Sequence, residues 1–98
     1  MITLTKNMLD KSIIDCNNAC RAFAESIGVD YEKMANGEKI VIEAKWPDGS
    51  PSEIRYYKPA NDRKDRRISI KDIKVHCDAG DTITMKKMPS KLIRLYIS

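Results

Sequence analysis

Residues 39–58 constrain the fold of this chain more than any other stretch. Ile40, Ile42, Ala44 and Trp46 alternate with Lys39, Val41, Glu43 and Lys45, the period-two pattern of a strand with one face toward a core. Pro47-Asp48-Gly49-Ser50 carries turn chemistry, and residues 52–58 return as a second strand, so the stretch predicts a hairpin. Tyr56 and Tyr57 are consecutive on the returning strand and point to opposite faces. At most one of them enters the core while the other faces outward.

The remaining elements follow from the same reasoning. Residues 2–5 alternate Ile, Thr, Leu, Thr and predict a short half-buried strand. Thr5 or Asn7 can cap a long helix whose apolar stripe is Leu9, Ile13, Cys16, Cys20, Phe23 and Ile27, with Gly28 as its stop. Asp10, Lys11, Asp15, Asn18, Arg21 and Glu25 fall on its solvated face. Residues 29–35 add a short turn of helix, and Asn36-Gly37 is a turn signal. Residues 67–69 read as a third short strand of this region. Ser69 and Asp72 form a capping-box-like start for a short helix bearing Ile70, Ile73 and Cys77 on one face. Residues 78–81 break that helix, 82–86 form a strand, Met88-Pro89-Ser90 turns, and 92–97 close with another strand. The expected architecture is mostly β with two helices (α+β). It is a small pseudobarrel of about six or seven strands, with one long N-terminal helix and one short helix.

Bulk properties bound the class. A chain of 98 residues forms one domain, 1–98, with a single modest core. Hydrophobic residues at 42% and charged residues at 33% exclude a disordered or membranous chain. No apolar run approaches the roughly 18 residues of a membrane span. The start MITLTKN lacks the apolar stretch of a secretory signal. Three cysteines, an odd and sparse set, fit free thiols in a reducing cytoplasm.

Charge is concentrated in the middle of the chain. Residues 55–74 hold eight basic residues (Arg55, Lys58, Arg63, Lys64, Arg66, Arg67, Lys71, Lys74) and three acidic ones (Asp62, Asp65, Asp72), giving +5. The whole chain is +4, so the rest is about neutral. A local basic patch beside two tyrosines suits a polyanion. The same run also reads as an ordinary solvated hairpin loop. A single exposed tyrosine is too little for a single-strand stacking platform.

The stretch IRYYKPANDRKDRRIS combines a strand ending in paired tyrosines, a basic loop and an Arg-Ile strand. It resembles the DNA-recognition domain of EcoRII-type restriction endonucleases, a plant-type DNA-binding pseudobarrel also found in auxin-response transcription factors. Ala79-Gly80-Asp81-Thr82-Ile83 resembles the Gly-Asp step with which such domains enter a late strand. The resemblance implies a non-catalytic domain that grips the major groove of double-stranded DNA, free-standing or joined to a nuclease. It places the reading arm at Lys58, Arg63, Lys64, Asp65, Arg66 and Arg67, with Arg55 and Tyr57 on the flanking strand. Arginine suits that role because its rigid fork pairs bidentately with guanine, whereas lysine acts mostly as a point charge on phosphate. Asp65 would accept from cytosine or hold a neighbouring arginine. Family members use a second arm near the first strand, and here only Lys6, Asn7 and Lys11 are candidates.

Other chemistries are weaker. Cys16, Cys20, His76 and Cys77 formally allow zinc, but the helix cysteines fall in the apolar stripe, where cysteine behaves as a small hydrophobe. Pro47-Asp48 followed by Asp62-Arg63-Lys64 matches a loose metal-nuclease template. The two acids sit at opposite ends of one strand, however, roughly 20 Å apart. Met8 and Met34 pad the core, while Met85 and Met88 flank Lys86-Lys87. The expectation is therefore no catalysis, no metal and no cofactor, and a cytoplasmic bacterial or phage protein that binds duplex DNA. The rival expectation is a small phage or mobile-element protein that uses the same loop to inhibit a host protein or nucleoprotein.

Overall fold

The structure, a computed structural model, describes residues 2–60 and 66–98. Its framework is the expected hairpin: β3 (Lys39–Lys45) pairs antiparallel with β4 (Pro51–Tyr57) from Lys39↔Tyr57 through Lys45↔Pro51. The sheet grows from this hairpin by β5 (Arg67–Ile70) on β4, and by β7 (Ile93–Ile97) parallel to β3. β6 (Thr82–Lys87) then pairs with β7. The described residues form a seven-stranded sheet, curled into a half-barrel, in the order β1-β6-β7-β3-β4-β5-β2.

The N-terminal segment differs from the expected long helix. It divides into β1 (Ile2–Thr3), α1 (Lys6–Lys11), β2 (Ile14–Asp15) and α2 (Asn18–Ser26). Thr5 caps α1 as anticipated, its hydroxyl accepting from the Met8 N–H at 3.2 Å. Ser12 then ends the helix in a left-handed conformation (φ 53°) with its N–H on the Leu9 carbonyl. This turn frees the next residues to pair with the open edge of β5, Ile14 opposite Ile68 and Asp15 opposite Arg67. Asn17 restarts the helix, its side chain accepting from the Cys20 N–H at 2.9 Å. Helical periodicity across the break was real in each half but did not require one helix, and Ile13 of the supposed stripe stands exposed.

Two smaller differences follow from pairing. Ser69 and Ile70 belong to β5, with Ser69 opposite Arg55 and Ile70 opposite Ile54. Ser69 is therefore no helix cap. The short helix α3 (Ile73–His76) begins instead after Asp72, a left-handed residue (φ 63°) that makes no side-chain capping bond. Between α2 and β3 a single 3-10 turn, Tyr31–Lys33, fulfils the short turn of helix expected there.

The inner face of the sheet buries Ala44, Ile54, Tyr56, Ile68, Ile70, Ile83, Met85, Ile93 and Leu95, against which α2 sets Cys20 and Ala24. Tyr56 is the inward member of the tyrosine pair; Tyr31 meets it edge-on at 6.3 Å. Trp46 leaves β3 fully buried and stacks on His76 at 4.4 Å.

Three measurements test this arrangement. Ile54→Ala, at a fully buried position, should cost about 2–5 kcal/mol in urea unfolding through the cavity it leaves. Asn17→Ala should cost about 1 kcal/mol by removing the cap that restarts the helix. The third concerns alkaline pH. Burial raises the Cys77 thiol from 9.0 to about 11, and it also raises the Tyr31 and Tyr56 hydroxyls above 10.0. Groups raised in the folded state hold their proton more tightly there than in the unfolded chain. Their contribution is complete below about pH 9 and is lost as pH rises toward 11 and beyond. Unfolding free energy measured across that window should fall.

Candidate nucleic-acid interface

Strand alternation and register together decide which charges share a surface. With Ile54 and Tyr56 inward, Glu53, Arg55 and Tyr57 face outward on β4. Antiparallel pairing aligns them with Lys39, Val41 and Glu43 of β3 on one side and with Arg67 and Ser69 of β5 on the other. One transverse row therefore reads Lys39, Tyr57, Arg67 and Asp15; the next reads Val41, Arg55 and Ser69. Lys39 and Arg55 are exposed, and Tyr57 and Arg67 half-buried. The Lys39 ammonium lies 5.6 Å from the centre of the Tyr57 ring, a cation–π distance that orients the ring on the sheet. The Arg55 guanidinium approaches the Glu53 carboxylate at 3.7 Å, an ion pair worth little at such an exposed site.

These side chains border a shallow depression of about 390 Å³, lined by Lys39, Arg55, Tyr57, Arg67, Ser12 and Ile13 together with Ile68 and Ser69. A second depression of about 430 Å³ shares Ile13 and Arg67 with it and is edged by Asn7, Lys11 and Asp15. Two of the three candidates for an N-terminal arm, Asn7 and Lys11, thus stand next to Arg67. The link is β2: its pairing with β5 draws the end of α1 over the edge of the patch.

The loop arm is distributed differently. Lys58 turns toward the body of the domain, its ammonium donating to the carbonyls of Tyr31 at 3.1 Å and Met34 at 2.9 Å, where it stitches the 3-10 turn to the end of β4. The Arg66 guanidinium lies 5.8 Å from the Tyr31 ring centre, and the Arg66 carbonyl accepts from the Cys16 N–H at 2.8 Å. The Tyr31 hydroxyl donates to the Arg67 carbonyl at 3.0 Å, which fixes the backbone from which the Arg67 side chain faces out. Arg63, Lys64 and Asp65 lie outside the described residues, as does Asp62 of the nuclease template. Its other acid, Asp48, accepts from the N–H and hydroxyl of Ser50, which hold its carboxyl below the usual range, as turn aspartates commonly are held.

Sequence reasoning missed Lys39 and a second cationic row, and it named Lys11 without being able to place it beside Arg67. The signal for Lys39 was available: the β3 alternation that buries Ala44 also puts Lys39 outward, and hairpin register puts it opposite Tyr57. The second row could not be read from the chain, because it joins strands distant in sequence. Lys86 stands opposite Arg94, and Arg94 beside Lys45 across the parallel β7–β3 contact. All three belong to the outward face, since Met85, Ile93, Leu95 and Ala44 are buried. Like charges on directly neighbouring strands repel. Among the described residues none of the three has a carboxylate within ion-pairing distance.

A scan of protein-family models, a search of curated proteins and a search of solved structures each return no match to this chain. Among the described residues no helix is long and apolar enough to cross a membrane.

Lys58→Met should lower stability by about 1–3 kcal/mol, since two carbonyls lose a charged donor. Its effect on the affinity for any polyanion should be smaller than that of Arg67→Gln, the comparison being made by chemical denaturation and binding on the same preparations.

Proposed function

We propose that this chain is a non-catalytic double-stranded DNA-binding domain of the pseudobarrel type. Its contact surface is the outward face of β3, β4 and β5 together with the adjoining 58–67 loop. The observation that carries the reading is the convergence of Lys39, Arg55 and Arg67 around Tyr57 on one exposed face, with Lys11 brought alongside by β2. Cations on rigid strands meet phosphates without ordering a flexible tail first, and release of condensed counterions supplies the affinity. Arg55 and Arg67 have the fork geometry to read guanine in the major groove, while Lys39 and Lys11 serve as point charges for the backbone. The curled, mostly β sheet and the basic sequence of residues 58–67 support the resemblance to the recognition domains of restriction enzymes.

A fluorescent random-sequence duplex, titrated at about 50 and 200 mM salt, tests this reading. Wild-type binding should weaken steeply with salt. Arg55→Gln with Arg67→Gln should reduce affinity more than tenfold and make the salt slope shallower by about 2, one phosphate equivalent for each cation. Lys87→Gln should change little, since Lys87 reaches the Ser26 carbonyl at the end of α2, on the helix side of the sheet. A loss from Lys87→Gln equal to that from the arginine pair, or no salt-dependent binding by the wild type, would overturn the proposal.

A further inference from the structure

Cys16 and Cys20 take no part in the outward face, yet they are held together tightly. Cys16 immediately precedes Asn17, the capping residue of α2, and Cys20 is the residue whose N–H that cap binds. The cap folds the incoming chain over the first turn of the helix and leaves the two Sγ atoms 2.6 Å apart. That is roughly half an ångström longer than a disulfide bond of about 2.05 Å. Both residues are buried. The backbone around the pair is fixed from two directions, since the Cys16 N–H donates to the Arg66 carbonyl at 2.8 Å and Arg21 Nε donates to the Cys16 carbonyl at 3.2 Å. The two sulfurs need approach by only about half an ångström to reach bonding distance.

We propose that Cys16 and Cys20 form a reversible intrachain disulfide when a peroxide oxidises them. The two sulfurs are not equivalent. A thiol hydrogen bond joins the pair. That bond and the Arg21 charge hold the Cys16 thiol below its ordinary range against the opposing effect of burial, while the same bond and burial push Cys20 upward. Cys16 is also the less enclosed of the two, 3% exposed against 0% for Cys20, so it is the attacking sulfur and Cys20 the resolving thiol. The Cys16 sulfur attacks one peroxide oxygen and the O–O bond breaks. The products are a Cys16 sulfenic acid and a hydroxide that takes up a proton as water. The Cys20 sulfur then forms the S–S bond and displaces the sulfenic oxygen, which leaves as a second water with the Cys20 proton. Two thiols and one peroxide give one disulfide and two waters; the sulfurs together lose two electrons and the peroxide gains them. The bond closes at the root of the basic loop, through the strand contact between Cys16 and Arg66, and it does not depend on what that loop binds.

Peptide mass spectrometry of the full chain tests the proposal without any substitution. The native protein is exposed to hydrogen peroxide, its remaining thiols are alkylated under denaturing conditions, and it is digested with trypsin. Cleavage after Lys11 and Arg21 releases both cysteines in one peptide, 12–21, while Cys77 falls in another. Peptide 12–21 should appear unalkylated and lighter by two hydrogen masses, and dithiothreitol before alkylation should restore the doubly alkylated form. In Cys20→Ser the reaction should stop at a Cys16 sulfenic acid that dimedone traps, whereas Cys16→Ser should give no dimedone adduct on Cys20. Recovery of both thiols free after peroxide, oxidation to sulfinic acid without the linked peptide, or linkage to Cys77 would each overturn it.

Discussion

The fold depends on one segment completing both ends of the sheet. A strand edge exposes a row of unpaired N–H and C=O groups, and the half-barrel formed by β3 to β7 has two such edges. Residues 2–15 serve both: β1 pairs with β6, β2 pairs with β5, and α1 crosses the gap between them. The Leu4 N–H on the Asp81 carbonyl and the Gly80 N–H on the Leu4 carbonyl extend the first edge; the Cys16 N–H on the Arg66 carbonyl extends the second. These backbone bonds explain why a segment with helical periodicity does not remain one helix. A helix would satisfy its own backbone, but it would leave the edges of β5 and β6 open.

That arrangement also builds the candidate interface. Arg67 begins β5, and pairing with Asp15 of the edge strand β2 fixes its position relative to α1. Tyr31 secures the same residue from the inner side through its carbonyl. Lys39, Tyr57 and Arg67 then fall in one transverse row by register and need no special loop conformation to converge. A surface carried by paired strands keeps its charges at constant spacing, the condition under which phosphate contacts contribute without a large ordering cost. The Cys16–Cys20 pair lies beneath the other end of the same contact, so the region where the basic loop rejoins the sheet is held by strand pairing, the Tyr31 hydroxyl and the cap of α2 together.

Several expectations were legible because they depend on local rules. The β3–β4 hairpin followed from two alternating runs around a Pro-Asp-Gly-Ser turn. The opposed tyrosines followed from strand alternation, with Tyr56 buried and Tyr57 outward. The late strands β6 and β7 lay close to their expected limits. Of the named site residues, the structure sets Arg55, Tyr57 and Arg67 on one face, while Lys58 and Arg66 turn to the 3-10 turn and Tyr31. That division was not legible in a run of charges, because it depends on which acceptors the inner elements leave within reach. Lys58 finds the Tyr31 and Met34 carbonyls only because the chain between α2 and β3 passes beside the end of β4.

What the sequence determined by itself was six of the seven strands, the inward and outward sense of the β3–β4 hairpin, and a charge excess confined to residues 55–74. These follow from periodicities of two and from composition, which are properties of neighbouring residues. The tertiary structure alone decided that the N-terminal helix would break at Ser12 and restart at Asn17, that Lys11 would stand beside Arg67, and that Lys45, Arg94 and Lys86 would line up across three strands. Each of these rests on hydrogen bonds between segments far apart in the chain, and such pairings are chosen by the free edges and register of the whole sheet rather than by any local pattern.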